Sequence, residues 1–272
     1  MTAVVKINKS ALFELVMAAL EAYAIKHDKK KVVAIETGAH LWGSINKQLP
    51  FKCNIEHVSV ETSAKRARGS VRWNPSSLEL KKDIASAFGD GFNYIGSFHT
   101  HPWLKNELYG DKKIEGPESI RKDKLFDFSS SDHKCEINSP EITIGKRKFS
   151  VALVMTVYSM ERANDLKDGE IDSHIEEFSL GNIKLWLQGR VFEHKLLNLC
   201  SDAELKAFES YGLKVNNFKG TDLLPIPVNT TIECKSFTDL DLYLKKFGRL
   251  TAEETGAEYL NSSKAETRLF AL

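Results

Sequence analysis

The amino-acid sequence predicts an α+β domain, built from strands in succession with helices interrupting them. Three observations carry this expectation. Strand-like runs recur along the first two thirds of the chain, as at Cys53–Val60 with its Ile55, Val58 and Val60. Two segments between them carry apolar residues at helical spacing instead. Phe149–Tyr158 is a nearly continuous apolar run, typical of a strand buried on both faces. Strands and helices in this proportion are expected to stack as layers around one core.

Taken in order, Ser10 to Lys26 places Leu12, Leu15, Val16, Ala19, Leu20 and Tyr23 on one stripe, a core-facing amphipathic helix. Val32–Ser44 and Cys53–Val60 read as strands joined by a turn near Asn46–Pro50. The basic stretch with Lys65, Arg66, Arg68 and Arg72 reads as a solvated loop. Asn74-Pro75 opens a second helix, with proline suited to the first turn, and the helix runs through Leu78, Leu80, Ile84, Ala87 and Phe88. Gly89-Asp90-Gly91 stops it, and Tyr94–Phe98 begins another strand. Glu176–Leu180 and Ile183–Phe192 continue the series. From about Leu196 the pattern changes. Ser201–Tyr211 reads as a short helix, Phe218–Val228 as a loop punctuated by Pro225 and Pro227, and Thr238–Gly248 as a capped helix. The expected organisation is a domain over 1–195, carrying an insertion at 103–128, and a C-terminal α/β extension over 196–272.

The whole-chain balance narrows the function classes. At 272 residues the chain allows one large domain, or one domain and an extension, at about 100–200 residues per domain. A net charge of +1 gives no electrostatic argument for nucleic-acid or membrane partners. The longest apolar run is far too short to span a bilayer, and no basic-then-apolar signal pattern opens the chain. Cys53, Cys135, Cys200 and Cys234 are scattered and form no Cys-x-x-Cys pair, which predicts reduced thiols and a cytoplasmic protein.

The chemistry concentrates at His99-Thr100-His101-Pro102, which ends the Tyr94–Phe98 run. In a strand, residues i and i+2 project from one face, so both imidazoles can reach a single ion. Imidazole nitrogen is a preferred zinc donor, and a catalytic zinc commonly has three protein ligands and one open position. Asp132 is the candidate third ligand, with Ser129 three residues before it, the spacing of a helix's first turn. His133 is the alternative ligand, although on a helix it would point about 100° away from Asp132. Glu36, opening Glu36-Thr37-Gly38-Ala39-His40-Leu41-Trp42-Gly43, is the candidate proton acceptor.

Glu36, then His99-x-His101-Pro102, then Ser129-x-x-Asp132, in this order, resembles the JAB/MPN metalloprotease family, whose metal motif is called JAMM. The resemblance covers roughly residues 30 to 195. Residues 103–128 depart from it, since the second histidine and the serine are usually joined by a short loop; a threefold longer loop costs only about 1 kcal/mol of closure entropy. What the resemblance implies is a curved mixed sheet flanked by helices, with zinc (Zn2+) at one edge held by His99, His101 and Asp132. It further implies that Glu36 relays a proton from the attacking water to the leaving nitrogen and that Ser129, or Ser130, donates to the oxyanion. The implied activity is isopeptidase or peptidase cleavage after the C-terminal tail of a ubiquitin-like protein, in the company of E1-like and E2-like proteins in a bacterial defence pathway. Two other roles are weighed beside it, a metal-free scaffold and a zinc hydrolase of another small amide. The insertion is expected to be either a solvated loop or a wall of the substrate groove.

Overall fold

The computed structural model describes residues 2–25, 34–89, 91–160, 165 and 167–239. The chain opens with β1 (Thr2–Ile7) and α1 (Lys9–Ala24). Leu12, Leu15, Ala19 and Tyr23 form the buried stripe of α1, as their spacing predicts. Next come β2 (Gly38–Ile45) and β3 (Lys52–Val60), an antiparallel pair. The basic stretch forms a hairpin of β4 (Lys65–Ala67) and β5 (Ser70–Arg72). Then α2 (Pro75–Phe88) starts where Asn74 accepts a hydrogen bond from the Ser76 amide, and β6 (Asn93–Trp103) carries the two histidines.

Residues 103–128 are not a bare loop. They contain the small hairpin β7 (Leu108–Tyr109) and β8 (Lys112–Lys113), followed by α3 (Pro117–Lys122). Ile114, Ile120, Leu125 and Phe126 form their own apolar cluster with Tyr158, Met160, Ile175 and Trp186. After α4 (Ser130–Cys135) the strands are β9 (Ile142–Ile144), β10 (Arg147–Ser159), β11 (Gly169–Asp172), β12 (Ile175–Leu180) and β13 (Ile183–Leu196). Beyond them lie α5 (Asp202–Glu209), capped by Ser201, and β14 (Leu223–Glu233).

The expected open sheet flanked by helices is overturned: seven strands close into a mixed β-barrel. Around it run β13, β14, β1, β3, β2, β6 and β10, and β10 then pairs again with β13. That closing ladder is antiparallel and continuous from Lys148↔His194 to Ser159↔Ile183. Three contacts are parallel: β1 with β14, β1 with β3, and β6 with β10. Closure gives each stave a neighbour on both sides and leaves β9 and β11 as the outer strands of the sheet. The two long helices differ: α1 buries a stripe in the core cluster, whereas α2 has no buried residue. Leu80, Ile84 and Phe88 on that helix are exposed rather than part of a core.

The interior is filled by alternate residues of each strand: Val5, Leu41, Ile55, Phe98, Leu153, Met155 and Leu187, with Leu12, Leu15 and Tyr23 of α1 in the same cluster. Residues 223–233, expected within a separate extension, form a stave of this barrel. The helix expected over 238–248 lies, from residue 240 on, outside the described residues. No helix among the described residues is long and apolar enough to cross a membrane.

Candidate metal centre

The site begins with the pleat of β6. Phe98 faces the barrel core, so His99 and His101, which flank Thr100, face out. β6 is held on both sides, antiparallel to β2 through Gly38↔His99 and parallel to β10 through Val154↔His99 and Thr156↔His101. Tyr23 anchors the end of this strand: its hydroxyl donates to the Trp103 carbonyl at 2.9 Å and accepts from the Ser159 amide at 2.9 Å.

Asp132 arrives from the first turn of α4. Ser129 is the N-cap. Its Oγ accepts from the Asp132 amide at 3.2 Å, while Asp132 Oδ2 accepts from the Ser129 amide at 2.7 Å. This reciprocal capping box fixes the carboxylate on the helix it begins. As an acceptor in the cap, the Ser129 hydroxyl keeps its hydrogen for donation into the cleft it lines. His133 turns the other way. It is fully buried and its ring stacks on Tyr211, so Asp132 alone joins the two histidines.

The three donors form a compact triangle. His99 Nε2 and His101 Nε2 are 3.1 Å apart. Asp132 sets Oδ1 at 3.2 Å from His99 and Oδ2 at 3.4 Å from His101. Tetrahedral zinc with ligands at about 2.0–2.1 Å has ligand–ligand edges of about 3.3 Å, so the donor set fits that ion in kind and in spacing.

The electrostatics follow from the same packing. Burial pushes Asp132 up, but hydrogen bonds from His101 and His99 overcome it and hold the carboxyl far below its usual range. Burial pushes both imidazoles down; Asp132 reverses this for His99, which ends above its ordinary value, while His101 ends below. A proton favoured on His99 by Asp132 would compete with a cation for the same lone pairs.

Glu36 lies in the extended segment before β2. Its amide donates to the Ala67 carbonyl at 2.8 Å. Beside it, the Thr37 amide donates to Thr100 Oγ1 at 2.9 Å and the Thr100 amide to the Thr37 carbonyl at 3.1 Å. These bonds bring Glu36 alongside the histidine strand, and burial raises its carboxyl to about 7. At Gly38 a Cβ would come within 2.6 Å of the Trp73 indole, which would have to shift to admit it.

All five predicted residues, Glu36, His99, His101, Ser129 and Asp132, line one cleft of about 1440 Å³. One wall is the β4–β5 hairpin with Trp73; the other is the 103–128 segment, including Trp103, Leu108 and Tyr109. No local pattern in the chain signals the strap between them, and none signals Glu136. Arg68 pairs with Glu107 across the two walls and also donates to the Ala34 carbonyl at 3.1 Å. Glu136 is a cleft residue whose carboxylate accepts from Ser150 at 2.6 Å, with His194 Nε2 2.8 Å from the same hydroxyl. Such partners are far apart in the chain and share no local pattern. The sequence matches no family model and no curated protein.

Proposed function

We propose that the protein is a zinc-dependent amide hydrolase, cleaving after the extended C-terminal tail of a ubiquitin-like protein. The observation that carries this reading is the donor triangle of His99, His101 and Asp132 with Glu36 in the same cleft. A bound zinc supplies Lewis acidity, polarising a carbonyl and bringing the pKa of water to about 7.

The chain's own residues do the rest. His99 and His101 hold one position from a strand that cannot shift without the barrel, and Asp132 holds the third corner. Glu36, with its carboxyl near neutrality, takes the proton of the attacking water and returns it to the leaving nitrogen. Ser129 donates its hydroxyl hydrogen to the oxygen that gains charge, a donor worth about 3 kcal/mol. No side chain is required as a nucleophile.

The substrate class follows from the motif resemblance and from the cleft. Ser70 and Val71 of β5 line it, and among the described residues β5 pairs with β4 alone, so its outer edge can add an extended tail as a further strand. Deconjugation or precursor processing beside E1-like and E2-like proteins of a bacterial defence pathway is the setting we assign. We place it in the cytoplasm, in keeping with four unpaired cysteines. A scaffold would leave a complete donor set and a buried acid without use.

The test is incubation of the full chain with tail-extended and amine-linked ubiquitin-like proteins, with and without a chelator. Cleavage that zinc restores after chelation supports the reading. Absence of stoichiometric zinc, or cleavage indifferent to the chelator, refutes it.

A further inference from the structure

The third corner of the donor triangle rests on a helix of only six residues. Helices this short do not persist without outside support. The support comes from 202–222, the segment between the last two barrel staves.

His133 is the point of attachment. It is 1% exposed, and neither ring nitrogen has a hydrogen-bond partner. An imidazole buried in this way serves as a flat plate. Its ring centroid lies 3.5 Å from that of Tyr211 at an interplanar angle of 26°, and the rings of Phe128 and Phe192 close around it. Tyr211 is itself fixed to the barrel wall, because its hydroxyl accepts from Arg190 Nη1 at 2.7 Å. Past the other end of α4, the Asn138 amide donates to the Leu223 carbonyl at 3.1 Å, and Asn138 Oδ1 accepts from the Leu223 amide at 2.8 Å.

Adjacent residues of a helix point about 100° apart. Here Asp132 reaches His99 and His101, while His133 meets Tyr211. Fixing the direction of one sets the direction of the other. We infer that Tyr211 is a positioning residue of the metal centre, holding Asp132 in the donor triangle through its stack on His133. This inference rests on reading His99, His101 and Asp132 as a zinc site.

The experiment is a double-mutant cycle on the full chain, with zinc affinity read by competition against a chromophoric chelator. Tyr211→Ala is expected to weaken zinc about 10- to 100-fold, the usual effect of losing a group that orients a ligand. Tyr211→Phe keeps the stacked ring but loses the Arg190 bond, and is expected to weaken zinc less than Tyr211→Ala does. In an Asp132→Ala background, Tyr211→Ala is expected to have no further effect. Should Tyr211→Ala not fold, Tyr211→Leu, which retains bulk but not the flat stack, takes its place throughout.

Unchanged zinc affinity in the single variant overturns the inference while leaving the zinc site intact. So does a loss of the same size in the Asp132→Ala background, which would mark general damage. A parent chain that binds no zinc overturns the underlying reading instead, and the inference falls with it.

Discussion

Truncation after Lys195 tests the closed barrel most directly. It removes β14, which fills the gap between β13 (from Val191↔Val228 to Leu196↔Leu223) and β1 (from Thr2↔Asn229 to Lys6↔Glu233). It also removes Phe208, Leu224 and Ile226, which are buried together. At about 1.5–3 kcal/mol for each large apolar side chain, their loss alone amounts to about 4.5–9 kcal/mol. Domains are stable by only about 5–15 kcal/mol, so the truncated barrel is expected to unfold. Two strand edges would be bared as well, inviting association between copies. The assay compares residues 1–195 with the full chain by urea denaturation followed by circular dichroism, and by size-exclusion chromatography. A monomeric fragment that unfolds cooperatively at the full chain's midpoint would refute the reasoning, since β14 would then be dispensable.

Three further outcomes follow from the site. Because Asp132 holds the His99 pKa above its ordinary value, zinc affinity is expected to be full above that titration and to fall as pH drops through it. Calorimetry in buffers of different ionisation heat would show the proton released, and a pH-independent affinity would contradict the competition. Glu36→Gln is expected to lower turnover by about 10²–10⁴-fold with zinc content unchanged. The zinc-free variant should also escape a stability loss, because a carboxyl raised from 4.5 to about 7 costs the folded state nothing below 4.5 and its full penalty above about 7. Denaturation midpoints across that range would show it, and equal pH dependence in both proteins would count against the buried charge. Ser129→Ala is expected to cost about 1 kcal/mol as a lost cap and to reduce turnover by about 10²–10³-fold. A lower melting temperature with unchanged turnover would leave Ser129 as a cap only.

The site was more legible than the fold. His99 and His101 could be placed on one face because a strand's alternation is a local property, and the order of Glu36 and Asp132 around them narrowed the rest. Barrel closure left no such trace: β1 and β14 meet from opposite ends of the described chain, through backbone groups that every residue carries. Pro225 and Pro227 read as loop residues, yet they lie opposite His194 and Phe192 in β14. They are tolerated because β1 pairs only with Asn229–Glu233, leaving the proline stretch as an edge on that side. The helix read through Leu78, Leu80, Ile84 and Phe88 is present as α2, but its apolar residues do not enter the core. That helix is tied down by polar contacts, Lys81 to buried Glu61 and Lys82 to Glu141, while Leu80, Ile84 and Phe88 stay in solvent.

The donors differ in how they are tethered. His99 and His101 belong to a stave paired on both flanks, whereas Asp132 belongs to a six-residue helix held from outside by the Tyr211 stack and the Asn138–Leu223 bonds. Loosening those outside contacts would therefore free a single corner of the candidate site and leave the barrel standing. Geometry of the site and survival of the fold are then separate questions, governed by different parts of the same chain.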